Sequence, residues 1–185
     1  MNKINFLKES IKSLKTSGTL FPSSRFLASK LLSAIDFENA KLIVEFGPGN
    51  GIITKQILQR LNPNAKLITF EINDKFYNAL LKIDDPRLIV TNQSADQVMD
   101  VIKQYGFDNT DYIVSSLPLT NIPKPITNSI LNSAYACLKP QGYFFQFQYS
   151  LTYYNTLKQI FNGKVHLGFE ALNLPPAFVY TCQKD

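Results

Sequence analysis

Apolar runs that resemble strands alternate with stretches that resemble helices, and this alternation restricts the possible folds more than any other feature. Seven runs rich in β-branched and aromatic residues predict strands. They are Lys41–Phe46, Lys66–Glu71, Arg87–Val90, Asp111–Ser116, Tyr143–Tyr149, Val165–Phe169 and Ala177–Cys182. The predicted helices between them are Ile52–Arg60, Asp74–Leu81, Ala95–Tyr105 and Pro125–Leu138. Such alternation predicts an α/β fold with a mostly parallel sheet and helices on both faces.

Local signals refine this prediction at the helix starts and at the end of the chain. Asn73 and Ser94 stand where helix N-caps are expected. No good helical stretch separates the last two predicted strands, so we expect that pair to be antiparallel.

Composition limits the class of protein and the kind of partner. The 185 residues suit one domain, and 45% hydrophobic with 18% charged residues is typical of a soluble globular protein. A net charge of +5 favours an anionic partner, either nucleic acid or a lipid surface, and does not choose between them. Cys137 and Cys182 lack metal-ligand spacing, so we expect reduced thiols in a cytoplasm and no metal. No secretory signal is visible.

A glycine-rich segment, VEFGPGNGIIT, joins the first predicted strand to the first predicted helix. Gly47, Gly49 and Gly51 permit positive φ and let the backbone approach a ligand closely. The G-x-G-x-G pattern differs from the dinucleotide pattern G-x-G-x-x-G, and the chain has no G-x-x-x-x-G-K-[ST] phosphate loop. The segment therefore favours a nucleotide-like cofactor over phosphoryl transfer, although a tight turn without a ligand remains the alternative.

Two acidic residues accompany these glycines. Glu45 lies two positions before the first glycine, and Glu71 ends the second predicted strand, where a carboxylate can accept both hydroxyls of a ribose. This arrangement resembles the first two motifs of class I S-adenosylmethionine-dependent methyltransferases. The resemblance implies a Rossmann-like seven-stranded sheet with an antiparallel last strand, and S-adenosylmethionine as the cofactor.

The same resemblance implies which residues bind the cofactor. Glu45 and the glycines would border its methionine part, Glu71 its ribose, and the loop at Ser94 and Ala95 its adenine, where many relatives have an acidic residue in place of Ser94. The full implied set is Glu45, Phe46, Gly47, Gly49, Gly51, Glu71, Ile72, Ser94, Ala95 and Ser115.

The turn SSLPL follows the apolar run Tyr112-Ile113-Val114 at the end of the fourth predicted strand, at the sheet edge where ligands bind in open α/β folds. Enzymes that methylate adenine have Asn-x-Pro-Tyr/Phe at the corresponding place, where the Asn side chain and the proline carbonyl hold the planar amine and the ring stacks on the base. Here Ser116 replaces the Asn and Leu119 replaces the aromatic residue, so both groups that read the base are missing. The alternative is that Pro118 simply ends the strand.

The turn instead resembles the S-G-L-P-L of soluble bacterial phospholipid N-methyltransferases, which methylate phosphatidylethanolamine. Three other segments are similar to that family: SGTLFPSS, LKPQGYFFQFQYS and LNLPPAFVY. The first contains the matching residues Gly18, Pro22, Ser23 and Ser24, and the similarity extends from there to the C-terminus. Ser116 stands where the family usually has glycine, and its hydroxymethyl group would narrow the acceptor pocket.

Residues 1–17 are expected to form a separate basic segment before the methyltransferase domain at 18–185. Within it, Ile4, Leu7, Ile11 and Leu14 form one helical stripe beside four lysines. Such a helix can lie in an anionic bilayer interface, which predicts a cytoplasmic protein peripheral to the inner membrane. An ordinary surface helix packed on the core is the alternative.

Acceptor chemistry is assigned to the turn and to two residues of the C-terminal half. Ser116, Leu117 and Pro118 would form the acceptor site, Tyr149 could present its ring to a methylammonium group, and Asn173 could orient the acceptor. Asn173 could equally hold a strand bend, and Tyr153 and Tyr154 are expected in the core. The single histidine, His166, is expected to be structural, so the amine proton would pass to water.

Two other functions stay open at the level of sequence. The basic surface also suits an RNA N-methyltransferase of the rRNA adenine type, or an enzyme that methylates a small-molecule amine. A protein that binds the cofactor without catalysis is a third class, which the intact Glu45, glycine and Glu71 set disfavours.

Overall fold

One seven-stranded sheet forms the centre of the molecule in the computed structural model, which describes residues 25–185. The strands are β1 Leu42–Phe46, β2 Lys66–Phe70, β3 Leu88–Thr91, β4 Thr110–Ser115, β5 Leu138–Gln148, β6 Val165–Glu170 and β7 Ala177–Gln183. Their order across the sheet is β3-β2-β1-β4-β5-β7-β6. The predicted α/β architecture is therefore confirmed.

Strand direction gives the sheet one functional edge. The pairs β1–β2, β1–β4, β2–β3 and β4–β5 are parallel, whereas β7 is antiparallel to both β5 and β6, as expected for the last strand. The chain proceeds from β1 outward to β3 and then crosses back to β4, which lies on the other side of β1. A crevice at the carboxyl ends of β1 and β4 follows from that reversal, and ligands bind there in open α/β sheets.

Six helices cover the two faces of the sheet in the described part of the chain. They are α1 Arg25–Leu31, α2 Ile52–Leu58, α3 Asp74–Leu80, α4 Val98–Gln104, α5 Lys124–Cys137 and α6 Tyr154–Ile160. Apolar residues of α1 and α2 pack on one face, and those of α4, α5 and α6 pack on the other. Successive side chains of a strand point to opposite faces of the sheet, so each buried strand contributes apolar residues to both cores.

The structure corrects several element boundaries. The predicted helix Ala95–Tyr105 is a 3₁₀ turn, Ala95–Gln97, followed by α4, and β5 begins at Leu138 directly after α5. Helices α1 and α6 were not predicted. Asn73 caps α3 through its side chain, whereas Ser94 occupies the cap position without a side-chain cap hydrogen bond. The predicted basic helix of residues 1–17, and the matching residues from Gly18 to Ser24, lie outside the described residues.

Candidate active site

The glycine-rich loop between β1 and α2 has the backbone shape that its sequence predicts. Gly47, Gly49 and Gly51 have φ values of 67°, 55° and 77°, a region that other residues rarely adopt. The Gly47 N–H donates to the Phe70 carbonyl at 3.0 Å, which ties the loop to the end of β2. At Gly49, no described atom lies within 4 Å of the position that a Cβ would take. The loop therefore has an open surface at its centre.

Glu71 lies beside this loop with its carboxylate held in place by the backbone. Its Oε2 accepts the Gly49 N–H at 3.0 Å and its Oε1 accepts the Asn73 N–H at 2.8 Å. The Asn92 side chain donates to the Glu71 carbonyl at 2.9 Å. These bonds fix a carboxylate at the carboxyl end of β2, next to the crevice. Sequence patterns identified Glu71 but not Asn92, whose contact depends on the pairing of β2 with β3.

Glu45 is buried beneath the loop on the α2 side of the sheet. Its Oε2 accepts the Thr54 hydroxyl at 2.7 Å, and its Oε1 has no hydrogen-bond partner among residues 25–185. Burial raises the pKa of Glu45 to about 8. The hydrogen bond from Thr54 opposes this increase, and the charge of Glu71 adds to it. A buried carboxyl group with an unpartnered oxygen is expected to gain from a nearby positive charge.

These three features fit S-adenosylmethionine. The open position at Gly49 leaves room for close approach, Glu71 offers a fixed carboxylate to ribose hydroxyls, and Glu45 offers a buried acid to a cationic group. The loop lacks the glycine and lysine pattern that binds the phosphates of a nucleoside triphosphate.

The remaining predicted cofactor residues are all buried, and they differ in polarity. Phe46 is fully buried and its ring packs edge-on against Phe70 at 5.5 Å, so only its backbone borders the site. Ile72 and Ala95 belong to the core on the same face. The other two, Ser94 and Ser115, are buried polar residues. Strand alternation turns the Phe46 side chain into the core, so the predicted contact of Phe46 with the cofactor would involve its backbone.

The turn after β4 lies against the glycine-rich loop. The Ser116 N–H donates to the Phe46 carbonyl at 2.9 Å, which continues the pairing of β4 with β1 beyond the strand. A Cβ at Gly47 would lie only 2.8 Å from Leu117 Cδ2, so this glycine permits the close contact. The hydroxyl of Ser116 is buried without a partner among the described residues. Leu119 is 0% exposed and packs in the core.

Two glutamines of β5 bind this turn, and sequence reasoning missed both. Gln146 Nε2 donates to the Leu117 carbonyl at 3.1 Å, and Gln148 Nε2 donates to the same oxygen at 2.8 Å. We call this arrangement the amide clamp. A signal for it was present in YFFQFQY, because polar residues two apart in an apolar strand share one face.

Tyr149 and Asn173 are brought together by the structure. Burial raises the pKa of Tyr149, and a side-chain hydrogen bond with Asn173 opposes that increase. Asn173 is buried and also donates to the Pro175 carbonyl at 2.7 Å, a contact that holds the bend before β7. Tyr149 lies just beyond β5 and remains 42% exposed, so its ring is accessible. His166 is exposed on β6, and Tyr153 is buried as expected.

Exposed apolar residues lie in the two segments that carry Tyr149 and Asn173. We use the term apolar rim for Tyr149, Leu151, Leu172 and Leu174, which lie in the segments after β5 and between β6 and β7. Leu172 is 69% exposed and Leu174 is 78% exposed. Large exposed leucines close to one another are typical of interaction surfaces.

Among residues 25–185, no group of three or more His, Cys, Asp or Glu is arranged to hold a metal ion. No helix in the same range has the length and apolar character needed to cross a membrane.

Comparison with known proteins assigns the family. Residues 12–153 match the family described as Ribosomal RNA adenine dimethylase. The chain belongs to this family. It is an S-adenosylmethionine-dependent methyltransferase with a Rossmann-like fold.

The proteins to which this chain is similar are named for different substrates. The chain is 30% identical to an ornithine lipid N-methyltransferase of Singulisphaera acidiphila, over 96% of this chain and 94% of that protein. It is 28% identical to the ribosomal RNA small subunit methyltransferase A of Dehalococcoides mccartyi over 71% of this chain, which spans only 43% of that protein. A solved structure, the precorrin-6y C5,15-methyltransferase of Geobacter metallireducens, superposes with a TM-score of 0.70 at 13% identity, covering 90% of this chain and 92% of that chain.

Proposed function

We propose that this methyltransferase transfers methyl groups to the amine of a membrane lipid headgroup. Phosphatidylethanolamine and its partly methylated forms are the acceptors implied by the sequence motifs, and an ornithine lipid is the alternative within the same chemical class. The acceptor in either case is an aliphatic amine attached to a molecule that resides in a bilayer.

The burial of Leu119 supports this proposal most directly. Leu119 stands where an adenine methylase has its stacking aromatic residue, and here the side chain is 0% exposed among core residues. Stacking of a base on an aromatic ring contributes about 1–3 kcal/mol, and a buried leucine supplies none of it. Ser116 likewise replaces the amide that would hold a planar amine with a single hydroxyl.

The apolar rim and the relatives agree with a lipid acceptor. Transfer of a leucine side chain from water into an apolar environment gains about 2 kcal/mol, so Leu172 and Leu174 would favour contact with acyl chains. The lipid-modifying relative matches this chain over nearly its whole length, whereas the chain spans less than half of the rRNA-modifying relative. The net charge of +5 suits an anionic membrane surface.

The residues have distinct proposed roles in the transfer. Bound S-adenosylmethionine supplies an electrophilic methyl group. Glu71 holds the ribose and Glu45 the cationic end, with Gly47, Gly49, Gly51, Ile72, Ser94, Ala95 and Ser115 forming the walls of that site. Ser116, Leu117 and Pro118 border the acceptor, Tyr149 faces the methylammonium product, and Asn173 holds Tyr149 in place. The ammonium group of the acceptor would first lose a proton to water, so that the neutral amine presents its lone pair towards the methyl group.

A second function is favoured by the family itself, which is described by rRNA adenine dimethylation. An RNA acceptor would use the basic surface for phosphate contacts, and its binding would weaken steeply with salt. Lipid analysis by mass spectrometry after expression in a host that lacks phosphatidylcholine separates the two. We expect mono-, di- or trimethylated lipid amines in the host membrane. Unchanged lipids together with methylated adenine in rRNA would favour the second function.

The role of the apolar rim can be tested with a matched pair of double variants. Leu172→Ser with Leu174→Ser is expected to reduce binding to anionic vesicles, while Leu81→Ser with Tyr105→Ser, which alters exposed apolar residues at the opposite edge, is expected to leave it unchanged. Equal vesicle binding by both double variants would exclude the rim from membrane contact. The proposed peripheral attachment through residues 1–17 is tested separately by charge reversal of Lys8 and Lys12.

A further inference from the structure

The carbonyl oxygen of Leu117 accepts three hydrogen bonds. Gln146 and Gln148 donate to it at 3.1 Å and 2.8 Å, and the Leu119 N–H donates to it at 2.9 Å, so both of its lone pairs are fully used. Both glutamines are buried, so water does not replace these bonds readily. The bonds therefore hold the centre of the acceptor turn from the strand beside it.

The orientation of the Gln146 amide is set by its surroundings. Its second N–H donates to the Phe147 carbonyl at 2.6 Å, while its Oε1 is buried and has no partner among residues 25–185. The flipped amide would place Oε1 against two carbonyl oxygens, which is unfavourable. Gln146 thus gives both donors to backbone carbonyls and leaves its own acceptor unsatisfied, which costs free energy in a buried place.

The unsatisfied oxygen of Gln146 belongs to a side chain that holds the turn proposed to bind the acceptor. Leu117 follows Ser116, whose hydroxyl is buried without a partner among the described residues, and packs close to Gly47 of the cofactor loop. With its carbonyl saturated, Leu117 cannot accept a hydrogen bond from an incoming amine. The hydroxyl of Ser116 is then the group of the turn that can do so.

We infer that Gln146 and Gln148 are positioning residues that determine acceptor selectivity by clamping the Leu117 carbonyl. The inference rests on the proposed function. The clamp removes a backbone acceptor from the site and fixes Ser116, so that one hydroxyl oxygen meets the N–H of a tetrahedral amine. A planar amine such as that of adenine would need two fixed groups in its plane and finds only one.

Methionine substitutions test the clamp, because methionine has nearly the shape of glutamine and no amide donor. We expect Gln148→Met to lower kcat for methylation of a lipid amine about tenfold or more, because small displacements of a reacting group have such effects. The KM for lipid and the Kd for S-adenosylmethionine are expected to remain unchanged. Gln146→Met should act in the same direction. Gln183→Met is the matched control, since among the described contacts the Gln183 side chain bonds with Gln141, at the opposite edge of the sheet.

A spectroscopic measurement separates positioning from a general loss of folding. Labelling leucine with ¹³C at the carbonyl and proline with ¹⁵N gives signals for the two Leu–Pro pairs, Leu117–Pro118 and Leu174–Pro175. In Gln148→Met, we expect the Leu117 carbonyl signal to move upfield because it loses a hydrogen bond, while the Leu174 signal stays in place. An unmoved Leu117 signal would overturn the clamp.

The inferred role of the amide clamp and the proposed function can be disproved separately. If the wild-type protein methylates lipid and both clamp variants do so at the wild-type kcat, the inferred role of the glutamines is wrong and the proposed function stands. A fall in kcat that only follows the fraction of unfolded protein, measured by circular dichroism, would also overturn the positioning role. If the wild-type protein methylates adenine and no lipid, the proposed function fails, and the inferred selectivity fails with it.

Discussion

The Gly49 N–H donates a hydrogen bond of 3.0 Å to Glu71 Oε2, which joins the loop after β1 to the end of β2. The second carboxylate oxygen accepts the Asn73 N–H at the start of α3, where Asn73 also caps the helix. One carboxylate therefore organises three segments that border the crevice. Its proposed contact with the ribose depends on this fixed position.

Replacement of Glu71 by glutamine keeps the size of the side chain but removes its charge. One oxygen becomes an NH₂ group that opposes a backbone N–H, and hydrogen bonds to a charged group are worth about 1.5–3 kcal/mol. We expect Glu71→Gln to weaken S-adenosylmethionine binding about tenfold to a hundredfold in a calorimetric titration. Glu38→Gln, at an exposed position, is the control. Unchanged affinity in Glu71→Gln would remove this residue from the cofactor site.

Gly49→Ala tests the open surface of the loop against a matched glycine. Gly49 and Gly163 both have positive φ, 55° and 84°, and at each of them no described atom lies within 4 Å of an added Cβ. Because alanine is strained in this backbone region, each substitution should cost about 1–2 kcal/mol of unfolding free energy in urea denaturation. We expect only Gly49→Ala to weaken cofactor binding as well. Equal cofactor affinity in both variants would show that the loop does not approach the ligand closely.

The raised pKa of Glu45 predicts a pH dependence of stability. Burial raises this pKa to about 8 from its ordinary value of 4.5, so the folded protein holds a proton that the unfolded chain releases between these pH values. Stability should therefore fall as pH rises from 4.5 towards 8. Glu45→Gln cannot ionise, so its stability relative to wild type should increase over this window in urea titrations. A constant difference between the two proteins would contradict burial of a neutral Glu45.

Cofactor binding should release a proton from the same group. A cationic ligand near Glu45 favours its charged form and lowers its pKa. Calorimetry at neutral pH in buffers of different ionisation enthalpy should detect proton release by wild type and none by Glu45→Gln. The same buffer dependence in both proteins would place the proton elsewhere.

Asp111 stabilises the opposite edge of the sheet. Burial raises its pKa, but hydrogen bonds from Lys139 and from the backbone N–H groups of Leu42 and Lys41 outweigh that effect and lower the pKa below 3.8. Asp111→Asn should lose about 2 kcal/mol at neutral pH, because bonds to a charged acceptor are lost. A group with a lowered pKa contributes its stability above 3.8 and loses it as pH falls further. The deficit of the variant in urea denaturation should therefore shrink in acid while activity at neutral pH is retained.

Sequence patterns predicted the sheet because its strands are short apolar runs bounded by turns, and they predicted Glu71 because that position ends a strand. They missed α6, whose first residues Tyr154, Asn155 and Thr156 have low helix propensity, so the helix depends on tertiary packing of Leu157. Phe46 was assigned to the cofactor site from its place in the motif, and the structure shows that its side chain packs in the core, which leaves its backbone for the predicted contact. The amide clamp depends on how β5 is aligned with β4, and that alignment cannot be derived from a single sequence.

The most direct test offers both acceptors to one enzyme. Purified protein with labelled S-adenosylmethionine would be mixed with rRNA and with anionic vesicles that contain phosphatidylethanolamine in one sample and ornithine lipid in another. We predict that the label enters a lipid amine in at least one of these samples and that RNA stays unlabelled. Label in adenine, with none in either lipid, would contradict the proposed function.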